Sequence, residues 1–335
     1  MFLKNNLTNK SVGISPEMLT VTGYGDTPCE AYAPREIVLR DGRKTLLWVH
    51  ERTGHGILDP QYWEASSFYE QAYREEHGPK PGELTGQSKC LEIYRELNDR
   101  QFAEFSDLIN DRTRFLEIGC SFGGILSRVA ARGPAVSHAV EPNTRDARFV
   151  KKQVPAAEIY NCTFERAALQ KGYYNLVASL EVLEHTVSPL AFLEKCAALM
   201  EPGGALFLEV PNHADVLLGI YREKAYRNFY YHKAHIHYFT AASLHGLCKK
   251  CGFAGQVESF VMYSLFNHLW WLQHHGPQPS AAKALSGLKP ARGKGDAPRA
   301  INRFFEKVEK EYVDLLNAHG VGDCLIYRGR KRDIR

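Results

Sequence analysis

The stretch Arg114-Phe-Leu-Glu-Ile-Gly-Cys-Ser-Phe-Gly-Gly124 decides the fold. A short apolar run, Phe115–Ile118, meets a glycine corner; Ile125–Ala131 then takes up helical spacing and closes at Gly133-Pro134. A strand that turns through glycine into a helix aims backbone N–H groups at the mouth of a cleft. The dinucleotide fingerprint wants a second glycine two residues after the first, where backbone must approach a pyrophosphate. Ser121 stands there instead, and the second glycine comes at 123. The spacing Glu117-x-Gly119-x-x-x-Gly123 predicts a ligand without a pyrophosphate.

Working outward, the same alternation repeats. Ser137–Val140, Glu158–Tyr160, Tyr174–Leu180 and Ala205–Val210 read as strands, separated by helices at Thr144–Lys152, Phe164–Lys171 and Leu190–Met200. Ser188-Pro189 opens the last of these helices and Pro202-Gly-Gly204 ends it. Short apolar runs alternating with helices predict an α/β fold, a Rossmann-like doubly wound sheet that is mostly parallel. Upstream lie β-like pieces at Glu36–Leu39 and Thr45–Val49, then Tyr62, Trp63, Phe68, Tyr69 and Tyr73 in helix-like spacing. A loop at 79–87 precedes a helix carrying Leu97, Phe102, Phe105, Leu108 and Ile109. Downstream, 213–239 reads as a loop rich in aromatics and histidines. A helix follows at Ala241–Cys251, then a strand at Gln256–Val261, an apolar run Leu265–Gln273, an amphipathic helix Ile301–Asn317 and a last strand Asp323–Arg328. These imply an N-terminal cap (1–95), a core (96–261 and 319–335) and a helical insertion (262–318).

Composition sets the class. The 335 residues are 44% apolar and 24% charged, ordinary for a globular protein. A net charge of +4 singles out no nucleic acid, none is expected as a partner, and the basic ending Arg328–Arg335 reads as a solvated tail. Met1–Asn6 has no apolar signal core, and no run is long enough to span a bilayer. Eight cysteines, several within apolar runs, read as buried free thiols and fit a soluble protein of the reducing cytoplasm. Cys248 and Cys251 belong here, as thiols on a buried helix face. Tyr263–Trp271 reads as a helical lid over the site, with a membrane surface or a second copy of the chain as the alternative contact.

The ligand site is expected where strands end, because open α/β sheets bind ligands outside the carboxyl ends of their strands. Glu141 lies 22 positions beyond Gly119, at the end of the next strand, where a carboxylate accepts both hydroxyls of a ribose. Asn161-Cys-Thr-Phe-Glu165 ends the third strand, placing Thr163 and Phe164 beside a flat ring. Ser179-Leu-Glu-Val-Leu-Glu-His185 ends the fourth. These motifs, with Glu201-Pro-Gly-Gly204 before the fifth strand, resemble the class I S-adenosylmethionine-dependent methyltransferases over residues 114–212. The resemblance implies a seven-stranded sheet with an antiparallel last strand, and S-adenosylmethionine as cofactor. Its site would be Glu117, Gly119, Cys120, Ser121, Gly123, Glu141, Pro142, Thr163, Phe164 and Leu180. His235-x-His237-Tyr-Phe-Thr, then a helix and Cys251-Gly-Phe253, is similar to the branch that modifies sugars and bacterial surface glycans.

The departures bear on chemistry. Carbon-alkylating sugar enzymes often begin with a zinc module of two Cys-x-x-Cys pairs, and the matching stretch here, Cys29 through Gly56, has one cysteine. Closed structural zinc sites take four ligands, so Cys29, His50 and His55 read as a degenerate module without metal. Those enzymes also carry a Tyr-x-Glu-His cluster whose Glu position is Ala234 here. Losing that carboxylate disfavours a carbanion and points to oxygen as the methyl acceptor. Histidine titrates near working pH, so His235 or His237 is the expected base, His185 the next candidate, and Glu181 orients the hydroxyl. The expected reaction is methyl transfer to a hydroxyl of a nucleotide-linked sugar or surface glycan. The alternatives are a small-molecule acceptor of the natural-product or quinone kind, a sugar carbon, or a catalytically silent cofactor-binding subunit.

Overall fold

The structure, a computed structural model, describes residues 14–63, 68, 70 and 86–333. Tyr69, Tyr73 and the loop at 79–85 therefore lie outside the described residues. In chain order the strands are β1 (Tyr32–Val38), β2 (Lys44–His50), β3 (Gly56–Leu58), β4 (Arg114–Ile118), β5 (Val136–Val140) and β6 (Glu158–Tyr160). They continue as β7 (Tyr174–Leu180), β8 (Met200–Pro211), β9 (His237–Tyr238), β10 (Phe253–Phe260) and β11 (Cys324–Lys331). The helices are α1 (Pro16–Thr22), α2 (Gln87–Ile93), α3 (Arg95–Ala103), α4 (Gly124–Ala130), α5 (Thr144–Gln153) and α6 (Pro189–Leu199). Beyond them come α7 (Val216–Gly219), α8 (Lys224–Tyr230), α9 (Ala241–Lys250), α10 (Leu265–His274), α11 (Ala281–Leu285) and α12 (Asp296–Ala318).

Seven strands form one sheet in the order β10-β11-β8-β7-β4-β5-β6. β4, β5, β6, β7 and β8 pair in parallel, and β11 runs antiparallel to both β8 and β10, as the expected fold requires. Period-two alternation splits the sheet's side chains between two cores. Leu116, Val177, Leu206 and Leu208 meet α6 and α9 on one face; Phe115, Leu176, Ala178 and Phe207 meet α3, α4 and α5 on the other. Glu209 falls between Phe207 and Pro211 on that second face, at a position that alternation reserves for an apolar residue. It is fully buried.

A second sheet, β1-β2-β3-β9, is antiparallel. Its fourth strand comes from the segment after β8, with Ile57 opposite His237. The segment 213–239, expected to be a loop, holds two short helices because Asp215 and Glu223 accept the first free N–H groups of α7 and α8. The expected helix Phe164–Lys171 is one turn only, Phe164–Arg166. Its carbonyls go elsewhere: Lys195 Nζ donates to those of Phe164, Glu165 and Ala167. The tail expected at 328–335 is in part strand. Arg328 pairs across β11 with Phe207 and Gln256, and its guanidinium bridges Glu104 and Glu258.

α10 is not the lid that was expected. Trp271 packs against Tyr226 and Phe229, and α10 joins α12 over the second sheet. No helix among the described residues is long and apolar enough to cross a membrane.

Candidate active site

Gly119 turns the chain out of β4 with φ 78°. A Cβ there would sit 2.4 Å from Val182 Cγ2, so only glycine lets the turn after β7 close against it. Gly123 also has positive φ, at 76°, yet it stands off the cavity wall; its close neighbour is Val150 of α5. It is thus a packing glycine at the start of α4, and Phe122 and Gly124 take the wall in its place.

The carboxyl ends of β4, β5 and β7 open on a cavity of about 920 Å3. Its wall includes Glu117, Gly119, Cys120, Ser121, Glu141, Pro142, Thr163, Phe164, Leu180, Glu181 and His185. One site therefore collects nearly every residue expected to hold the cofactor. Roughly 300–1,000 Å3 is usual for a small-molecule site.

Two carboxyls mark one end. Glu141 is held by backbone: Ser121 N–H donates to Oε2 at 2.7 Å and Asn143 N–H to Oε1 at 2.9 Å. Asn161 Nδ2 ties this corner to the third strand by donating to the Glu141 and Pro142 carbonyls. Glu117 is 3% exposed, and its Oε2 has no hydrogen-bond partner among the described residues. Burial, then the neighbouring charge of Glu141, pushes its carboxyl well above the usual range. An orphaned buried acceptor on the cavity wall is what a ligand ammonium would satisfy. The residues present fit S-adenosylmethionine: Glu117 would take its amino group, Glu141 its ribose, and Thr163 and Phe164 would flank its adenine.

A different set of acids marks the other end. Glu181 adopts φ 54°, unusual for a residue with a side chain, and lines the cavity. Behind it, Glu209 Oε1 accepts from Gln101 Nε2 at 2.7 Å, and Gln101 takes a bond from Asn98. Burial first, then Glu181, pushes the Glu209 carboxyl up to about 8. Burial, then Glu184, raises Glu181. Sequence reasoning missed Glu209, since an acid inside an apolar strand gives no motif.

The histidines divide. His185 lines the cavity, with Nδ1 2.7 Å from the Ala234 carbonyl. His235 stands off the wall, its ring 4.7 Å from that of His185 and its Nε2 3.8 Å from Glu184. His237 stands behind the wall, against the backbone of the lining residue Val187. It is 1% exposed, stacks on His55, and lies with Nε2 3.3 Å from the Val187 carbonyl. Burial drives its pKa down to about 3. His235 and His237, the expected bases, are not among the lining residues, and β9 pairs with β3, which sets His237 in the second sheet. Glu184, His185 and His235 each bring one ligand atom within 4.8 Å of the others, a donor set that suits a divalent cation. Of the degenerate-module residues, His50 Nδ1 accepts from the Thr53 N–H at 3.1 Å, and His55 Nε2 faces His237 Nδ1 at 3.2 Å.

The rest of the wall had no motif: Leu91, Tyr94, Leu97 and Asn98 from α2, α3 and their junction, and Met262 and Tyr263 after β10. Tyr62 stays away, its ring under Arg43. The 262–263 bend is clamped. Arg100 donates to the Val261 and Met262 carbonyls at 2.8 and 2.7 Å, and Tyr263 N–H donates to Asp323 Oδ2 at 3.0 Å.

Parts of the chain are similar to known proteins. A family described as a methyltransferase domain matches residues 91–257. A ubiquinone biosynthesis O-methyltransferase of Parvibaculum lavamentivorans is 30% identical over 168 residues, covering 48% of this chain and 62% of that protein. One of the same name from Xanthomonas campestris is 36% identical over 112 residues, 32% of this chain and 46% of its own length. The chain thus spans about half to three fifths of these curated relatives. A solved structure from Thermotoga maritima, described as a possible histamine N-methyltransferase, has a TM-score of 0.49 at 16% identity, covering 81% of this chain and 100% of its own. Residues 91–257, just under half of the chain, thus match a methyltransferase-domain family, and the sheet order and the acids at its strand ends agree with that match.

Proposed function

We propose that this protein methylates a hydroxyl of a small, ring-bearing acceptor of the quinone-precursor kind. One observation carries the reading. Beyond the cofactor's residues the cavity wall carries an aromatic and apolar patch, Leu91, Tyr94, Leu97, Met262 and Tyr263, with the polar Asn98, Gln101 and Glu181 beside it. Such a wall suits a phenol ring better than a hydrated sugar. The names of the curated relatives support the same choice. The sugar acceptor loses its main support, because His235 and His237 are off the wall.

S-adenosylmethionine, held by Glu117, Glu141, Thr163 and Phe164, would supply a sulfonium-bound methyl group for transfer to the acceptor oxygen, with a neutral thioether as the leaving group. The chain's own task is to hold the acceptor hydroxyl in line and take its proton. Positioning of this kind is worth roughly 7–11 kcal/mol, and a base adds about 10²–10⁴-fold. Glu181 is the base in this reading, with His185 on the same wall as the second candidate.

The test offers the protein methyl-labelled S-adenosylmethionine with a panel of dihydroxybenzoates, alkylated catechols and nucleotide sugars. Label in phenolic ethers supports the reading. Label confined to sugars, or to nitrogen acceptors, overturns it.

A further inference from the structure

The longest helix among the described residues, α12, carries two apolar stripes. One packs on the core over the second sheet, with Leu316 buried and Tyr312 and Val313 beside it. The other holds Ile301, Phe304, Val308 and Leu315, at helical spacings of three, four and seven residues. Ile301, Phe304 and Leu315 are exposed, Phe304 to 61%. Ile220 and Tyr221, just after α7, are exposed too, and the Tyr221 hydroxyl lies 3.2 Å from that of Tyr312, one turn past Val308. These two therefore border the stripe. With Leu269 of α10, they complete the large apolar side chains exposed among the described residues. A patch gathered in this way marks an interaction surface, whereas scattered ones do not.

We propose that α12 pairs with α12 of a second copy of this chain, antiparallel about a two-fold axis. Alternating steps of three and four make a heptad seam, with Ile301, Val308 and Leu315 in one row and Phe304, Glu311 and Ala318 in the other. An antiparallel register sets Phe304 against Leu315 of the partner subunit and Ile301 against Ala318 of the partner subunit. The same register brings Lys307 beside Asp314 of the partner subunit, and symmetry makes that opposite-charge contact twice. A two-fold interface has to complement itself, and this stripe does. Glu311, the polar seam position, is already paired with Lys307 at 3.6 Å. Covering the five exposed side chains removes about 500 Å2 from each protomer. The pair then buries about 1,000 Å2, the scale that a specific interface needs.

A lipid surface fits the stripe less well. α12 carries five acidic and four basic residues, whereas attraction to anionic lipid calls for a basic excess. The interface also connects to the active site. Tyr312 lies 2.9 Å from His268 Nδ1, His268 pairs with Asp323, and Asp323 takes the N–H of Tyr263 on the cavity wall. Pairing of α12 therefore steadies the helix to which that wall is tied.

Light scattering on the full chain across a dilution series tests the pairing. The mass of two chains is expected at micromolar concentration. Phe304→Glu and Leu315→Glu, both at exposed positions, should raise the dissociation constant about thirtyfold or more with far-ultraviolet dichroism unchanged. Cysteines read the register. Phe304→Cys with Leu315→Cys in one chain should give disulfide-linked dimers on mild oxidation. Within a chain the two stand about 16 Å apart along the helix, too far to join. Neither single variant should crosslink beyond the wild-type chain with its eight thiols. A single-chain mass at concentrations up to about 100 µM overturns the proposal, and so does a dimer that both glutamate variants leave intact. Crosslinking by Phe304→Cys alone overturns the antiparallel register. A monomer that floats with phosphatidylglycerol vesicles overturns it in favour of lipid. Neither cofactor nor acceptor enters these measurements, so their outcome is independent of the function proposed above.

Discussion

Replacing Asp323 by Asn tests how the insertion holds the acceptor wall. Asp323 Oδ1 lies 2.9 Å from His268 Nε2, and the two side chains are 3% and 1% exposed. The other ring nitrogen, Nδ1, lies 2.9 Å from the Tyr312 hydroxyl on α12. The second carboxylate oxygen takes the N–H of Tyr263, so one acid ties α10 to the cavity wall. Burial alone would lower the His268 pKa, but the Asp323 charge and hydrogen bond overcome it and hold the pKa above its ordinary value. Removing one member of a buried pair costs about 3–5 kcal/mol. The asparagine amide oxygen keeps one of the two hydrogen bonds, so a loss of about 3 kcal/mol is expected, at the low end of that range. The sign of the pH effect follows from the raised pKa. The ion pair's contribution is full below the unfolded histidine value of about 6.5, and it is lost as pH rises through the higher folded value. Urea unfolding of both proteins at pH values on either side of neutrality should therefore show a gap that narrows with rising pH. In turnover, KM for the acceptor should rise several-fold while cofactor affinity holds. A stability loss below about 1 kcal/mol, the scale of a surface pair, would refute the buried-pair reasoning. So would a gap that widens with pH.

Three further outcomes are expected. Lys195→Met frees the three carbonyls that shape the Phe164–Ala167 turn, and should weaken S-adenosylhomocysteine binding about tenfold by calorimetry, the scale of one charge-assisted hydrogen bond. Gly119→Ala puts a Cβ 2.4 Å from Val182 Cγ2 at a φ of 78°, and should abolish detectable cofactor binding in a protein whose far-ultraviolet dichroism is unchanged. His237→Gln, behind the cavity wall, should change kcat by less than about threefold once its melting temperature is matched by assay conditions; a fall of 10²-fold or more would restore it as a base.

Much of the core was legible in the chain itself. Phe115–Ile118 alternates between the two faces of a parallel sheet, Gly119 and Gly123 take conformations that other residues avoid, and Glu141 sits at the end of the adjacent strand. Those signals are local: period, positive φ and strand-end placement act within a few residues of the motif. The acceptor wall carried no such sign. Tyr94, Gln101, Met262 and Tyr263 come from segments more than 150 residues apart, and only the crossing of α3 over the carboxyl end of β10 brings them together. His235 and His237 show the same limit from the other side, since their motif was plain. It was the long-range pairing of β9 with β3 that turned His237 from the acceptor toward His55.

The sequence by itself determined the sheet, its glycine corner and the acids at its strand ends, because each depends on backbone geometry over one strand and one turn. Tertiary structure alone decided which acids share a buried space. Glu209 reads in the chain as a lone charge within an apolar strand; it becomes a neighbour of Glu181 because β7 and β8 pair in one register, and because Gln101 reaches down from a helix a hundred residues earlier. Proton affinity in such a place depends on burial and on neighbouring charge, and neither exists until the chain has folded.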